Sequence, residues 1–330
     1  MLRLLSINNP ALILASIFAS FSIHLIYFFS GKIEYSFVLN YQEPLSQFLF
    51  SHLAETGNLF FPLVLFLGAL FQIIAAVFLN LIINEFKISS KRAYLAAFIF
   101  VLISSLNPQW LILSPQLIAI TLWILMFYRI MILSKQEKFY SVLFDIGFLS
   151  SLSVFFYLPS AYFLIFIFPA LFSVRPYQFK EFMRVIFGLF TPLYIVLAIY
   201  FLNDKLPNFA HDFLNSQNLN RVNLDYFNKN FSPFIYIIAV WSIISVFTFA
   251  LIPVSLSLKT RNVSTLLIFH TVLTMLFFFI PTHFHIAYLV LLSPMIAIYL
   301  SLFFLDYKGS FLPNVIFALL CLSALIPLIL

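Results

Sequence analysis

The chain has 330 residues, of which 63% are hydrophobic and 8% are charged, and its mean hydropathy is +1.08. Soluble domains carry about 25% charged residues, so this composition excludes a water-soluble globular protein. A net charge of +6 would suggest a nucleic-acid partner if the protein were soluble. In a membrane chain the Lys- and Arg-rich cytoplasmic loops explain the same excess, so we expect the lipid bilayer as partner and no nucleic acid.

Apolar runs recur along the whole chain, and a run of about 20 residues is long enough to cross a hydrocarbon core of roughly 30 Å. We therefore predict an all-α polytopic transmembrane helical bundle of about eleven spans. The first run is too long for a signal-peptide core and lacks a following cleavage site, which indicates a retained helix. The predicted spans are 10–30, 59–84, 93–106, 111–133, 139–157, 160–173, 185–202, 233–257, 264–281, 286–304 and 311–330.

The distribution of Lys and Arg predicts the orientation of the bundle. With the N-terminus inside, 13 of the 17 Lys and Arg residues fall on the inner side of the membrane. The other four fall on the outer side and are Lys32, Lys205, Arg221 and Lys229. Because inner loops are enriched in Lys and Arg, this distribution predicts an inner N-terminus and an outer C-terminus.

The first outer loop, 31–58, contains three acidic residues, Glu34, Glu43 and Glu55. Residues 44–54 within it read as an amphipathic helix that lies on the membrane surface and opens with Pro44 at its first turn. Gln47 and Ser51 lie opposite the apolar face of this helix. That apolar face consists of Leu45, Phe48, Leu49 and Leu53.

Glu43 and Glu34 are the candidate catalytic residues. A carboxylate at the outer interface can act as a general base, or it can bind a divalent cation, the one cofactor we consider. The alternative interpretation of Glu43 is a solvated acid that interacts favourably with the positive N-terminus of the surface helix.

The second outer loop, 203–232, carries His211 and Arg221 and reads as an ordered cap over the outer face. His283 and His285 follow at the outer end of the ninth predicted span. A histidine pair there either hydrogen-bonds to loops or lipid headgroups or, in a functional site, binds a phosphate or a sugar hydroxyl. The six histidines show no paired metal-binding spacing on a helix face, so we predict no metal site built from histidines. Nucleotide-binding glycine loops and nucleophile elbows are also absent from the sequence.

The layout up to residue 203 resembles the GT-C class of integral-membrane glycosyltransferases, which use polyprenyl-phosphate-linked sugars as donors. In that class, one span leads into a long outer loop that carries catalytic acids and surface helices. Here Glu34, the segment 43–45 and the helix up to Ala54 occupy those places. The short turns at 107–110 and 157–160 match the outer turns that follow the third and fifth spans of the class.

The resemblance implies a seven-helix module in residues 1–203, followed in 204–330 by the second outer loop and four C-terminal spans. It further implies transfer of a sugar from a lipid-linked donor at the outer face of a bacterial inner membrane. Glu43 or Glu34 would be the base, and Arg221 with His283 and His285 would neutralise the departing phosphate.

Two alternatives remain open at the level of the sequence. One is a non-enzymatic membrane subunit or a carrier of lipid-linked cargo, with polar groups inside the spans as its site. The other is an envelope polysaccharide polymerase, in which Arg221 and His211 would be the functional residues.

Overall fold

The computed structural model of the chain describes residues 11–30, 43–89, 94–106, 110–133, 140–174, 179–209, 213, 237–249, 265–274, 291–307 and 311–329. Regular structure within these ranges is entirely helical, as the sequence predicts. The described α-helices are α1 (Ala11–Ser30), α2 (Pro44–Ala54), α3 (Phe60–Glu85), α4 (Leu95–Ser104), α5 (Pro115–Ile132), α6 (Tyr140–Phe156), α7 (Tyr162–Val174), α8 (Phe179–Leu202), α9 (Ile237–Phe249), α10 (Thr265–Thr274), α11 (Ser293–Asp306) and α12 (Phe311–Ile329).

Four of the described helices, α1, α3, α5 and α8, are long and apolar enough to cross a membrane. Large apolar side chains cover the outer faces of α1, α3 and α8, including Phe18 at 76% exposed and Tyr194 at 75%. Exposing such a continuous apolar surface to water costs free energy, whereas contact with lipid tails does not. The protein is therefore a helical membrane protein.

Helix α8 begins six residues earlier than the hydropathy pattern predicts, at Phe179 instead of residue 185. The added turns contain Lys180, Glu181 and Arg184, whose charges ended the apolar run in the sequence. Arg184 lies over the ring of Tyr140, with 3.3 Å between its guanidinium carbon and the ring centroid. This cation–π contact and the acidic residue in the first turn both stabilise the extended start of the helix.

A buried chain of hydrogen bonds connects α1, α3 and α4. The Ser20 hydroxyl donates to Gln72 Oε1 at 2.5 Å, and Gln72 Nε2 donates to Ser104 Oγ at 2.6 Å. Ser104 Oγ in turn donates to the carbonyl oxygen of Phe100 at 2.7 Å. These hydrogen bonds offset the cost of burying the polar groups, and the groups join three helices.

Replacing Gln72 by Leu should lower the free energy of unfolding by about 1–2 kcal/mol, because the two serine hydroxyls would lose their shared interhelical partner. Thermal unfolding of the purified protein in detergent measures this loss. Ile74→Leu is the matched control, since Ile74 lies on the same helix and is 41% exposed. An unchanged unfolding temperature for the Gln72 variant would show that the chain of hydrogen bonds does not stabilise the bundle.

Helices α6 and α8 pack backbone against backbone through two glycines. A Cβ atom on Gly147 would collide with the carbonyl oxygen of Val185, and one on Gly188 would collide with that of Phe144. Small residues allow membrane helices to approach this closely. Arg184 contacts Tyr140 near the starts of the two helices, and Phe155 clusters with Val196 near their ends, so α6 and α8 run parallel and end on the same side of the bundle.

The described helices give the bundle two chemically different ends. At one end, the Arg129 side chain lies 3.4 Å from the Asp145 carboxylate, and Tyr128 donates a hydrogen bond to Glu85 at 2.8 Å. Asp145 is thus one half of an ion pair at the surface. The opposite end, which we call the surface-helix end, holds α2 and the C-terminal ends of α6 and α8.

Candidate functional site

Helix α2 has the bounds that the sequence predicts, because both of its ends carry strong local signals. Pro44 occupies the first turn, where the missing backbone N–H is not needed for a helical hydrogen bond. The backbone N–H of Gln47 donates to the Glu43 carbonyl at 2.8 Å and closes that turn. Beyond the other end, Gly57 has φ +60°, a left-handed conformation that glycine adopts at little cost.

Two contacts fix α2 to the end of the bundle. The Ser46 hydroxyl donates to the carbonyl oxygen of Phe156, the last residue of α6, at 2.6 Å. Phe50 is 2% exposed and packs in a buried cluster with Tyr27 and Phe60. The helix therefore rests on protein along the face that contains Ser46 and Phe50.

The predicted apolar face of α2 is confirmed in part. Leu45, Leu49 and Leu53 are half-buried and pack against the bundle, but Phe48 is 44% exposed. Phe50, which the periodicity did not include, takes the buried position. The reason is that α2 packs against other helices of this chain, so its buried face is not the one a membrane surface alone would select.

Glu43 directly precedes α2 and is 1% exposed. Its burial contradicts the solvated part of the alternative interpretation, while its place at the N-terminus of α2 is the one that interpretation gives. Burying a carboxylate costs free energy that a purely solubilising residue would not incur. Glu55, by contrast, follows the other end of α2 and is exposed.

A groove of about 270 Å³ opens between α2 and the C-terminal end of α8. Its apolar walls are Pro44 and Phe48 on one side and Ile199 and Tyr200 on the other. Its polar side chains supply amide, hydroxyl, imidazole and ammonium groups and belong to Gln47, Ser51, His52, Asn203 and Lys205.

Local hydrogen bonds hold several of these polar groups in place. Nδ1 of His52 lies 2.9 Å from the carbonyl oxygen of Phe48, so Nδ1 carries the hydrogen and Nε2 is the ring atom left for a ligand. The His52 ring also packs against the Phe48 ring, with 4.4 Å between the centroids. Asn203 Nδ2 donates to the carbonyl oxygen of Ile199 at 2.7 Å.

The backbone at the end of α8 positions Lys205. The N–H of Lys205 donates to the Tyr200 carbonyl at 2.9 Å, and the N–H of Asp204 donates to the Phe201 carbonyl at 3.1 Å. Asp204 has φ +54°. These features form a Schellman cap, the hydrogen-bonded turn that ends many helices. Lys205 is thereby held beside the last turn of α8.

The other predicted site residues lie outside the described residues. They are Glu34, Arg221, His211, His283 and His285. Within the described part of the chain, His, Cys, Asp and Glu form no group of three that could hold a metal ion.

Two histidines lie inside the bundle, away from the groove. Nδ1 of His24 is 2.7 Å from the carbonyl oxygen of Ser20, and Nε2 is 2.8 Å from that of Leu111. This residue connects α1 to the turn before α5. His270 is fully buried, and its ring packs edge-on against Trp123 with 4.2 Å between the centroids. Both contacts join separate parts of the bundle, which is a structural role.

The sequence interpretation missed Lys205, Asn203 and His52 as members of one site. Lys205 carried a signal as one of the four outer cations, but it was used only to orient the bundle. The groove forms because α2 and α8 both pack against α6, through Ser46 on Phe156 and through the two glycines. Neither contact is encoded in the local pattern around Lys205 or His52.

Comparison of the chain with protein-family models, with curated proteins and with solved structures finds no match.

Proposed function

We propose that the protein is an integral-membrane glycosyltransferase of the GT-C type that takes its sugar from a polyprenyl-phosphate-linked donor. The observation that carries the proposal is the buried carboxylate of Glu43 at the start of a helix fixed onto one end of the bundle. Rigid support matters because a general base must be held close to the proton that it abstracts.

The proposed reaction is a displacement at the anomeric carbon of the sugar. An acceptor hydroxyl attacks this carbon, the bond to the phosphate oxygen breaks, and polyprenyl phosphate leaves with the electron pair. Glu43 accepts the proton of the acceptor hydroxyl as the new glycosidic bond forms. Glu34 is the second candidate for this role.

The leaving phosphate gains negative charge during transfer and needs cations nearby. Arg221, His283 and His285 remain our predictions for this role, and His211 remains a predicted substrate contact. Preorganised positive groups at the site of developing charge stabilise the transition state. We further propose that the surface-helix end faces outward from a bacterial inner membrane, in agreement with the distribution of Lys and Arg.

Inactivation of the gene in its native host tests the proposed function. Lipids extracted from the inactivated strain should contain an accumulated lipid-linked sugar, and the envelope glycan should lack that sugar, both measured by mass spectrometry. The reason is that a donor without its transferase is no longer consumed. An unchanged pool of lipid-linked sugars and an unchanged glycan would contradict the proposal.

The same experiment separates the two alternatives. Accumulation of complete multi-sugar repeat units with loss of long polymer would favour a polymerase. Retention of a lipid-linked sugar on the inner side of the membrane, with no loss of transfer in detergent extracts, would favour a carrier. Accumulation of a single-sugar donor supports the transferase.

A further inference from the structure

We propose that the groove between α2 and α8 binds the phosphate-bearing head of a membrane amphiphile, with Lys205 as the counter-ion of the phosphate. This inference rests on the proposed function, because it assigns a binding site for an anionic lipid beside the proposed base. The groove itself was not among the sites that the sequence predicted.

The charge of the groove favours an anionic ligand. The described residues that line it include the ammonium group of Lys205 and no carboxylate. Asp204 is the neighbour of Lys205 in the chain, but it is not one of the lining residues. An ammonium group beside the side-chain amides of Gln47 and Asn203 matches phosphate oxygens, which accept charge-assisted hydrogen bonds.

The size of the groove favours a headgroup over a whole lipid. Pockets that enclose drug-sized ligands measure about 300–1,000 Å³. At about 270 Å³ the groove accommodates a phosphate and one small polar substituent, while a long hydrocarbon tail must lie elsewhere.

The apolar surface next to the groove shows where a tail would lie. Ile199 is one of the wall residues, and Ile195 is one helical turn away on the same face of α8 at 44% exposed. Leu202 is 80% exposed on the last turn of α8. Since α8 is one of the helices that can cross a membrane, a tail leaving the groove would enter lipid along this face.

The position of the groove therefore separates an amphiphile from a free anion. Inorganic phosphate could use the Lys205 charge but not the apolar face of α8. An uncharged prenyl alcohol could use the apolar face but not the charge. Only a molecule that has both parts gains both contributions to binding.

Binding of farnesyl phosphate to the purified full-length protein in a non-ionic detergent tests the proposal. Affinity is measured from the ligand-dependent rise in the unfolding temperature. Farnesyl phosphate should stabilise the wild-type protein at concentrations at which inorganic phosphate and farnesol do not. Lys205→Gln should weaken the binding about tenfold, as expected when one charge-assisted hydrogen bond is lost at an exposed site.

Lys180→Gln is the matched control, because it removes the same charge from an exposed residue in the first turn of α8. This variant should bind farnesyl phosphate like the wild type. Equal affinity of the Lys205 variant and the wild type would overturn the proposal. So would binding of inorganic phosphate or farnesol as tight as that of farnesyl phosphate.

The binding experiment and the transfer experiment can fail separately, so a failure of one proposal can be told from a failure of the other. Loss of sugar transfer in Glu43→Gln with normal farnesyl phosphate binding would support both proposals. Normal binding of farnesyl phosphate with no transferase activity in any assay would refute the proposed function and leave the proposed binding site supported. Normal sugar transfer with no effect of Lys205→Gln on farnesyl phosphate binding would refute the proposed binding site and leave the proposed function supported.

Discussion

Gly188→Ala should lower the free energy of unfolding by about 3 kcal/mol or more, the upper part of the range for overpacked cores. The added Cβ would collide with the carbonyl oxygen of Phe144 and press on the backbone N–H of Phe148. Backbone atoms of a helix cannot rotate away as a side chain can, so the two helices must separate. Gly147→Ala should have a similar effect through the carbonyl oxygen of Val185.

Thermal unfolding in detergent measures this destabilisation, together with the fraction of protein that remains monodisperse after extraction from the membrane. Phe190→Leu on the same helix is the control, because Phe190 is 59% exposed on the lipid-facing side. That variant should unfold within a degree or two of the wild type, since exposed substitutions cost less than about 0.5 kcal/mol. A Gly188→Ala protein as stable as this control would refute the close contact of α6 and α8.

Glu43→Gln should reduce sugar transfer by about 100-fold or more, which is the usual contribution of a positioned general base. The amide has nearly the shape of the carboxylate but accepts a proton poorly. We therefore expect the loss to fall on the rate of transfer and to leave farnesyl phosphate binding unchanged.

Complementation of the inactivated strain measures the effect in cells. The Glu43→Gln gene should fail to clear the accumulated lipid-linked sugar, whereas Glu55→Gln should clear it as the wild type does. Glu55 is a suitable control because it lies at the other end of α2 and is exposed. The Glu43 variant must be present at the wild-type level and unfold at a similar temperature, since its side chain is buried. Full rescue by Glu43→Gln would exclude Glu43 as the base.

Local signals were enough to predict α2 and most of the described bundle from the sequence. Pro44 and Gly57 bracket the surface helix, and its bounds at 44 and 54 are confirmed. Hydropathy located the described parts of the long helices within a few residues, because a helix that lies in lipid needs a continuous run of apolar side chains. The start of α8 was missed, since the cation–π contact of Arg184 with Tyr140 offsets its charge only once α6 is packed alongside.

The groove could not be predicted, because it depends on contacts between distant parts of the chain. Gly147 and Gly188 are visible in the sequence, but the contacts of Gly147 with Val185 and of Gly188 with Phe144 exist only in the packed helices. The burial of Phe50 instead of Phe48 likewise follows from the Ser46 hydrogen bond to Phe156. Glu43 was found from its position before the surface helix, while its burial is a property of the packed bundle.

The most direct test of the proposed function is turnover of the native donor by the purified protein. Lipids extracted from the inactivated strain supply that donor, so the identity of its sugar need not be known. The purified protein is added in lipid nanodiscs, and an envelope extract supplies the acceptor. Mass spectrometry should show the accumulated lipid-linked sugar converted to polyprenyl phosphate by the wild-type protein and not by Glu43→Gln. A donor pool left intact by the wild-type protein, or consumed equally by both proteins, would contradict the assignment of transferase chemistry to Glu43.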